Sequence, residues 1–211
     1  MNKVRFRYSK TGKAKFISHL DLMTTLQRSF LRAGIKLKYS EGFNPHPYMS
    51  VALPLSVGCE SLCEMIDVAI QDSIIPDIGK IKLPEGITIN DAYIPNRKFN
   101  DIEWIEINAC LRYDDKADEN VSKKLFNCFT KDCIIISKRT KRGFKELDIA
   151  PYIKDVDISS DGGICLKAKI SAQNPTINTD DLLSAVQNDI KPVFVDLKRI
   201  DIYDSNMLIF K

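Results

Sequence analysis

The chain has two histidines, His19 and His46, and each sits among residues suited to contacting an anion. The first segment runs Lys10-Thr-Gly-Lys13-Ala-Lys15 into Ser18-His-Leu-Asp21. A strand, a basic glycine-containing turn and a helix start, in that order, suggest an anion cradle. Free N–H groups and the helix dipole favour a phosphate there, and lysines release counterions from a nucleic-acid backbone. Ser18 and Asp21 weigh against this, since they satisfy part of the helix end and Asp21 repels an anion. The turn is not a Walker A loop, because the glycine spacing and the Lys-Ser/Thr ending are absent. His19 falls on the side of Leu22, Met23 and Leu26, so burial is expected, with a neutral imidazole serving as base or hydrogen-bond partner. The plainer reading is a packed histidine bonded to a carbonyl.

The second segment is Tyr39-Ser-Glu-Gly-Phe-Asn-Pro-His-Pro47. Pro45 and Pro47 fix their own φ and push Asn44 and His46 into extended backbone. A loop stiffened in this way loses little entropy on binding. Tyr39 and Phe43 are candidates to stack on bases, and Asn44 to bond a base edge. A rigid crossover that only seats the helix explains the same residues. A further basic run, Lys138, Arg139, Lys141, Arg142 and Lys145, reads as a hairpin tip gripping a phosphate backbone or as a solvated turn. Phosphate or ligand contacts are therefore expected at Lys10, Lys13, Lys15, Ser18, His19, Arg28, Arg32, Phe43, Asn44 and His46. His19, His46 and Tyr39 are the catalytic candidates if chemistry occurs.

Charge supports an anionic partner. Residues 1–56 hold ten Lys/Arg against Asp21 and Glu41, a local excess of eight in a chain whose total is +3. At 211 residues the chain can bury a core, and its hydrophobic content of 44% and charged content of 28% are those of a globular protein. No apolar run is long enough to cross a bilayer. The start, Met-Asn-Lys-Val-Arg-Phe-Arg, lacks the apolar core of a secretory signal. The six cysteines form no CxxC pair, and most lie in apolar stretches. Reduced, buried thiols, no metal, no cofactor and a cytoplasmic location are expected.

Several elements must position these residues. Val4–Tyr8 alternates as a half-exposed strand. Ser18 caps a helix whose apolar stripe is Leu22, Met23, Leu26, Phe30 and Ala33, with Gly34 as its stop and Arg28 and Arg32 on the opposite face. Tyr48–Leu55 and Ser61–Ile70 read as strands, Ile74–Ile81 as a short, poor helix, and Ile87–Ile94 as a strand. Pro95–Asp101 resembles a linker. The pattern then repeats. A strand carries Ile105, Ile107, Ala109 and Leu111, and a helix capped by Asp118 carries Val121, Leu125, Cys128 and Phe129. Cys133–Ser137 is a short strand ahead of the basic run. Strands near Val156–Ile158 and Ile164–Ser171 flank the hairpin signal Asp161-Gly-Gly163. A helix capped by Thr179 and a strand over Val193–Tyr203 close the order. The fold expected is α+β: two tandem ferredoxin-like βαββαβ units with mainly antiparallel sheets, over residues 1–95 and 101–211, with a basic insertion at 138–154. One continuous α+β domain with a larger sheet is the alternative.

Ser18-His-Leu-Asp21, Arg28, Arg32-Ala-Gly34, Tyr39 to Pro47, Leu53-Pro-Leu and Gly58 together resemble the radical-SAM-linked protein family, densely from Val4 to Asp67 and more loosely beyond. These are uncharacterised bacterial proteins, fused to or encoded beside a radical SAM protein with a cobalamin-binding-like region. The resemblance implies a radical SAM protein encoded nearby as partner and gives no reaction. The cluster motif CxxxCxxC is incomplete here: Cys59 and Cys63 are present, but the third position is Ile66, so the likeness is to the enzyme's partner. Three functions are in view. The first is an accessory protein binding RNA, or another phosphate-rich ligand, in a basic N-terminal cleft, without specificity for DNA. The second is a metal-independent endoribonuclease broadly like the RAMP nucleases, with His19 and His46 as acid and base and Tyr39 or Lys15 stabilising charge. The third is a module that only docks a protein.

Overall fold

The computed structural model describes residues 2–113, 119–140, 143–160, 163–186 and 190–211. The fold is mixed α+β, with three α-helices and ten strands among the described residues, and every strand pairing described below is antiparallel. The chain divides into two compact units, one ending at Asp101 and also holding Lys211, the other Ile102–Phe210.

In the first unit, β1 (Lys3–Lys10), β2 (Met49–Val51), β3 (Glu60–Ala69) and β4 (Ile87–Tyr93) form a sheet. β1 is central, flanked by β3 and β4, and β2 lies on the far side of β3. Alternation along β1 places Val4, Phe6 and Tyr8 toward α1 (His19–Arg32), where Phe6 stacks on Phe30 with ring centroids 4.7 Å apart. Leu22, Leu26 and Phe30 bury as the stripe requires, with Met23 and Ala33 at its margins. The Ser18 hydroxyl caps the helix by accepting from the Asp21 N–H at 3.2 Å, and it donates to the Asp21 carboxylate at 2.7 Å. The expected second helix is a single 3-10 turn, Ile78–Lys80, capped by Asp77. Pro76 lacks an N–H and Gly79 has high backbone entropy, so nothing longer is sustained.

The expected linker is not one. Arg5, fully buried, reaches it from β1. Its guanidinium pairs with Asp67 through both carboxylate oxygens, at 2.7 and 3.1 Å. It also donates to the Arg97 carbonyl at 2.9 Å and lies 4.2 Å from the Phe99 ring centroid. The segment 97–99 is thereby folded back onto the sheet of the first unit.

In the second unit, β5 (Trp104–Arg112) lies between β10 (Phe194–Tyr203) and β9 (Ile164–Ser171), with β8 (Ile153–Ser159) beyond β9. Ile105, Ile107, Ala109 and Leu111 are buried as their alternation demands. Trp104 and Glu106, on the opposite face, are also buried. Lys154 covers the Trp104 ring at 4.0 Å, and Glu106 accepts from Lys167 at 2.9 Å and from Tyr203 at 2.5 Å. Burial alone would raise the Glu106 pKa, but the Tyr203 and Lys167 hydrogen bonds outweigh it and hold the carboxyl low. α2 (Glu119–Phe129) buries Leu125, Cys128 and Phe129; its expected cap, Asp118, lies outside the described residues, as do Asp161 and Gly162 of the hairpin signal. α3 (Thr179–Ala185) is capped by Asn178 rather than Thr179. The Asn178 side chain accepts from the Asp181 N–H at 2.9 Å, and Asp181 accepts from the Asn178 N–H at 3.0 Å. Between α2 and β8, β6 (Ile135–Thr140) and β7 (Gly143–Asp148) pair as a separate hairpin.

The expectation of reduced thiols fails at one pair. Cys110 and Cys165 face each other across β5 and β9 and form a disulfide. Alternation on a pleated sheet puts directly opposed side chains on one face, a pairing that spacing alone does not reveal. Cys63 and Cys128 are buried thiols, Cys59 is half-buried and Cys133 is exposed. No helix among the described residues is long and apolar enough to cross a membrane.

Candidate nucleic-acid interface

The basic turn is a built structure rather than an open cradle. Residues Gly12–Phe16 form a 3-10 turn. Lys10 is 1% exposed, so it does not face a ligand. Its ammonium donates to the Ile17 carbonyl at 2.9 Å and the Lys15 carbonyl at 3.3 Å, tying the turn down from below. Desolvation lowers its pKa, opposed by the electrostatic attraction of the Glu64 carboxylate and, to a lesser extent, the nearby Cys59. The Gly12 N–H, one of the turn's backbone donors, is taken up by the Glu60 carboxylate at 2.9 Å. Ser18 is engaged with Asp21, and the Lys15 ammonium lies 5.4 Å from the Phe16 ring centroid. Gly86 seats the neighbouring turn against this one. It has φ +88°, and a Cβ there would meet the Thr11 carbonyl oxygen at 2.4 Å. Only Lys13 among Lys10, Lys13 and Lys15 is exposed. His19 is exposed, as is Leu20 beside it. The first two residues of α1 therefore lie off the core stripe, which begins at Leu22, and the expected burial of His19 is corrected.

The proline-stiffened loop is presented differently. Its stem is a ladder: the Ser40 N–H donates to the His46 carbonyl at 2.8 Å, the His46 N–H to the Ser40 hydroxyl at 3.0 Å, and the Tyr48 N–H to the Lys38 carbonyl at 2.9 Å. Tyr39 bridges Pro47. Above the stem, Gly42 takes φ +116°, which favours glycine. Residues 41–46 are all exposed, and Phe43 has relative exposure of 108%, the value of a side chain touching nothing. A phenyl ring held in water on a pinned loop gains nothing for the fold.

Strand register separates the two segments. Lys10 pairs with Ser61 at one end of β1–β3, where the basic turn begins. The loop stem attaches at the other end, through Lys38 to the Ala69 carbonyl, Ala69 to the Tyr48 carbonyl, and Leu37 opposite Ile70. Seven strand steps of about 3.3 Å put these anchors roughly 23 Å apart. His19 and His46 thus belong to opposite ends. Arg28 and Arg32 go with the loop: they are exposed on the last turns of α1, which leads through Lys36 and Lys38 into the stem. The Arg32 guanidinium is steadied by the Ser29 hydroxyl at 2.9 Å. Lys36 and Lys38 were not singled out by motif, although both lie in the same basic stretch of sequence.

The second basic patch is partly dismantled. Lys138 forms an ion pair with Asp181 and donates to the Thr176 carbonyl at 2.6 Å, docking the hairpin on the start of α3. Arg139 and Lys145 are exposed beside Phe144, itself 75% exposed. Lys141 and Arg142 lie outside the described residues.

Sequence reading also missed a pocket of about 620 Å³ in the first unit, lined by Lys3, Asp67, Arg97, Lys98 and Phe99 among others. The signal for it is the basic run Arg97-Lys98 beside the aromatic Phe99, within a stretch whose composition resembles a linker.

Residues 3–190 match the model of a family described as an uncharacterised protein conserved in bacteria, DUF2344. That span covers most of the chain, so the chain belongs to this family. No curated protein matches it.

Proposed function

We propose that this DUF2344 protein binds single-stranded RNA on the end of its first unit that carries Arg28, Arg32, Lys36, Lys38 and the loop Tyr39–Pro47, acting as an accessory to a radical SAM protein. The observation that carries the reading is Phe43: a fully exposed ring on a pre-formed loop, with cations along the chain leading into it. Successive bases stack on exposed aromatics while cations track the backbone. The binding surface is an exposed end of the unit rather than a cleft, and Lys10, which supports the basic turn at the other end of β1, takes no part in it. The radical SAM partner follows from the family likeness of the Ser18–Asp21 and Gly42–Pro47 motifs, and a cytoplasmic location follows from that partner. The two units read as ferredoxin-like. β2 and β4 flank the β1–β3 pair in the first unit as β8 and β10 flank β5–β9 in the second. The 3-10 turn at Ile78–Lys80 and the β6–β7 insertion are their departures from that pattern. Separated anchors give no support to a nuclease that pairs His19 with His46.

Filter binding of cellular RNA across a salt series tests the proposal. Each phosphate neutralised on a single strand contributes about −0.7 to the slope of log K against log salt. Four cations predict a slope near −3, and Arg28→Glu with Arg32→Glu should flatten it by about 1.4. Retention that does not depend on salt, or that the double substitution leaves unchanged, would end the reading.

A further inference from the structure

We propose that the pocket beneath residues 97–99 binds a nucleoside monophosphate; its lining residues differ from those of the RNA surface, which it adjoins where Asp72 meets Lys36. Its volume of about 620 Å³ falls in the range of small-molecule sites. Its floor is rigid: the fully buried Arg5 and the 6% exposed Asp67 are locked in a bidentate pair. Phe99 lines the pocket with the Arg5 guanidinium 4.2 Å from its ring centroid, so the ring is held in place and offers an aromatic surface for a base. Cations outnumber acids around it. Asp67 is matched by Arg5 and also lies 3.7 Å from Lys3, and Asp72 lies 3.8 Å from Lys36. Arg97 and Lys98 add positive charge with no further carboxylate in the lining. The amides of Asn96 and Asn100 supply donors and acceptors for base edges or ribose hydroxyls, while the Asn2 amide nitrogen donates to the Asp72 carbonyl at 3.3 Å and the Ser73 hydroxyl at 3.0 Å, which fixes that part of the wall. An aromatic platform, hydrogen-bonding amides and a positive rim match a ligand with a planar base at one end and a phosphate at the other.

The test is isothermal titration of the full chain at low salt with AMP, GMP, CMP and UMP, their nucleosides, and inorganic phosphate. At least one mononucleotide should bind, at least tenfold tighter than its nucleoside. Phe99→Leu, which keeps an apolar cover over Arg5, should weaken it fivefold or more. Lys98→Glu, an exposed change that leaves the Arg5 network intact, should remove the preference for mononucleotide over nucleoside. Thermal unfolding of each variant checks that it is folded; if Phe99→Leu is not, Lys98→Glu carries the test. No mononucleotide binding, nucleoside binding of equal strength, phosphate binding as tight as mononucleotide, or affinity unchanged by Lys98→Glu would overturn the proposal.

Discussion

Replacing Lys10 by methionine separates a supporting lysine from a ligand-binding one. Methionine matches the stem and removes the ammonium. The Lys15 carbonyl keeps its hydrogen bond from the Gly58 N–H at 2.9 Å, so its loss is small. The Ile17 carbonyl loses the donor that reached it at 2.9 Å. An unsatisfied buried acceptor costs about 1–3 kcal/mol. Against this, the variant no longer buries a charge, which recovers part of the desolvation that lowers the Lys10 pKa. The net expectation is a destabilisation of about 1–2 kcal/mol, or roughly 2–8 °C in Tm for a chain of this size. Calorimetry or urea unfolding measures it, with filter binding in parallel. RNA affinity of the folded variant should match wild type within about twofold, since about 1.4 kcal/mol is needed for tenfold. A variant of undiminished stability that loses tenfold or more in RNA affinity would show that Lys10 meets the ligand and refute the reasoning.

Two further outcomes concern the second unit. Tyr113 donates to the Ile190 carbonyl at 2.9 Å, and burial pushes its pKa up to about 12. The folded state therefore holds this proton more tightly than the unfolded one, so its contribution is full below about pH 10 and is lost as pH rises toward 12. The stability difference between wild type and Tyr113→Phe should shrink over that range in pH-dependent unfolding; a difference constant with pH would refute it. The Cys110–Cys165 bridge closes a sequence separation of 55 residues, for which the loop-entropy relation gives up to about 4 kcal/mol. Wild type should unfold at lower temperature with a reductant present, whereas Cys110→Ser should not respond to it. Equal Tm values for wild type in both conditions would show the bridge to be absent or without effect.

Periodicity made the scaffold legible. The α1 stripe, the β1 and β5 alternations and the Ser18 cap are local patterns, and local geometry realises them. What sequence could not supply was the identity of the cations that face inward. Arg5 and Lys10 both counted toward a basic surface, yet both are buried, because β1 presents one to Asp67 and the other to the carbonyls of the turn. The same limit hid the role of Lys138, which pairs with a residue 43 positions away, and the Cys110–Cys165 pairing. The candidate site was half legible. The proline spacing predicted a stiff loop, and the structure adds the hydrogen-bonded stem and the full exposure of Phe43. Its distance from the basic turn depended on strand register, which neither motif contains.

Photocrosslinking of the protein to 4-thiouridine-substituted RNA, with mass spectrometry of the adducts, tests the central claim most directly. The account predicts adducts on the peptide containing Tyr39–Tyr48, strongest at Phe43 and diminished in Phe43→Ala, whose lost stacking is worth about 1–3 kcal/mol. Adducts confined to the Lys10–Ser18 turn or the β6–β7 hairpin, with that loop unmodified, would contradict it.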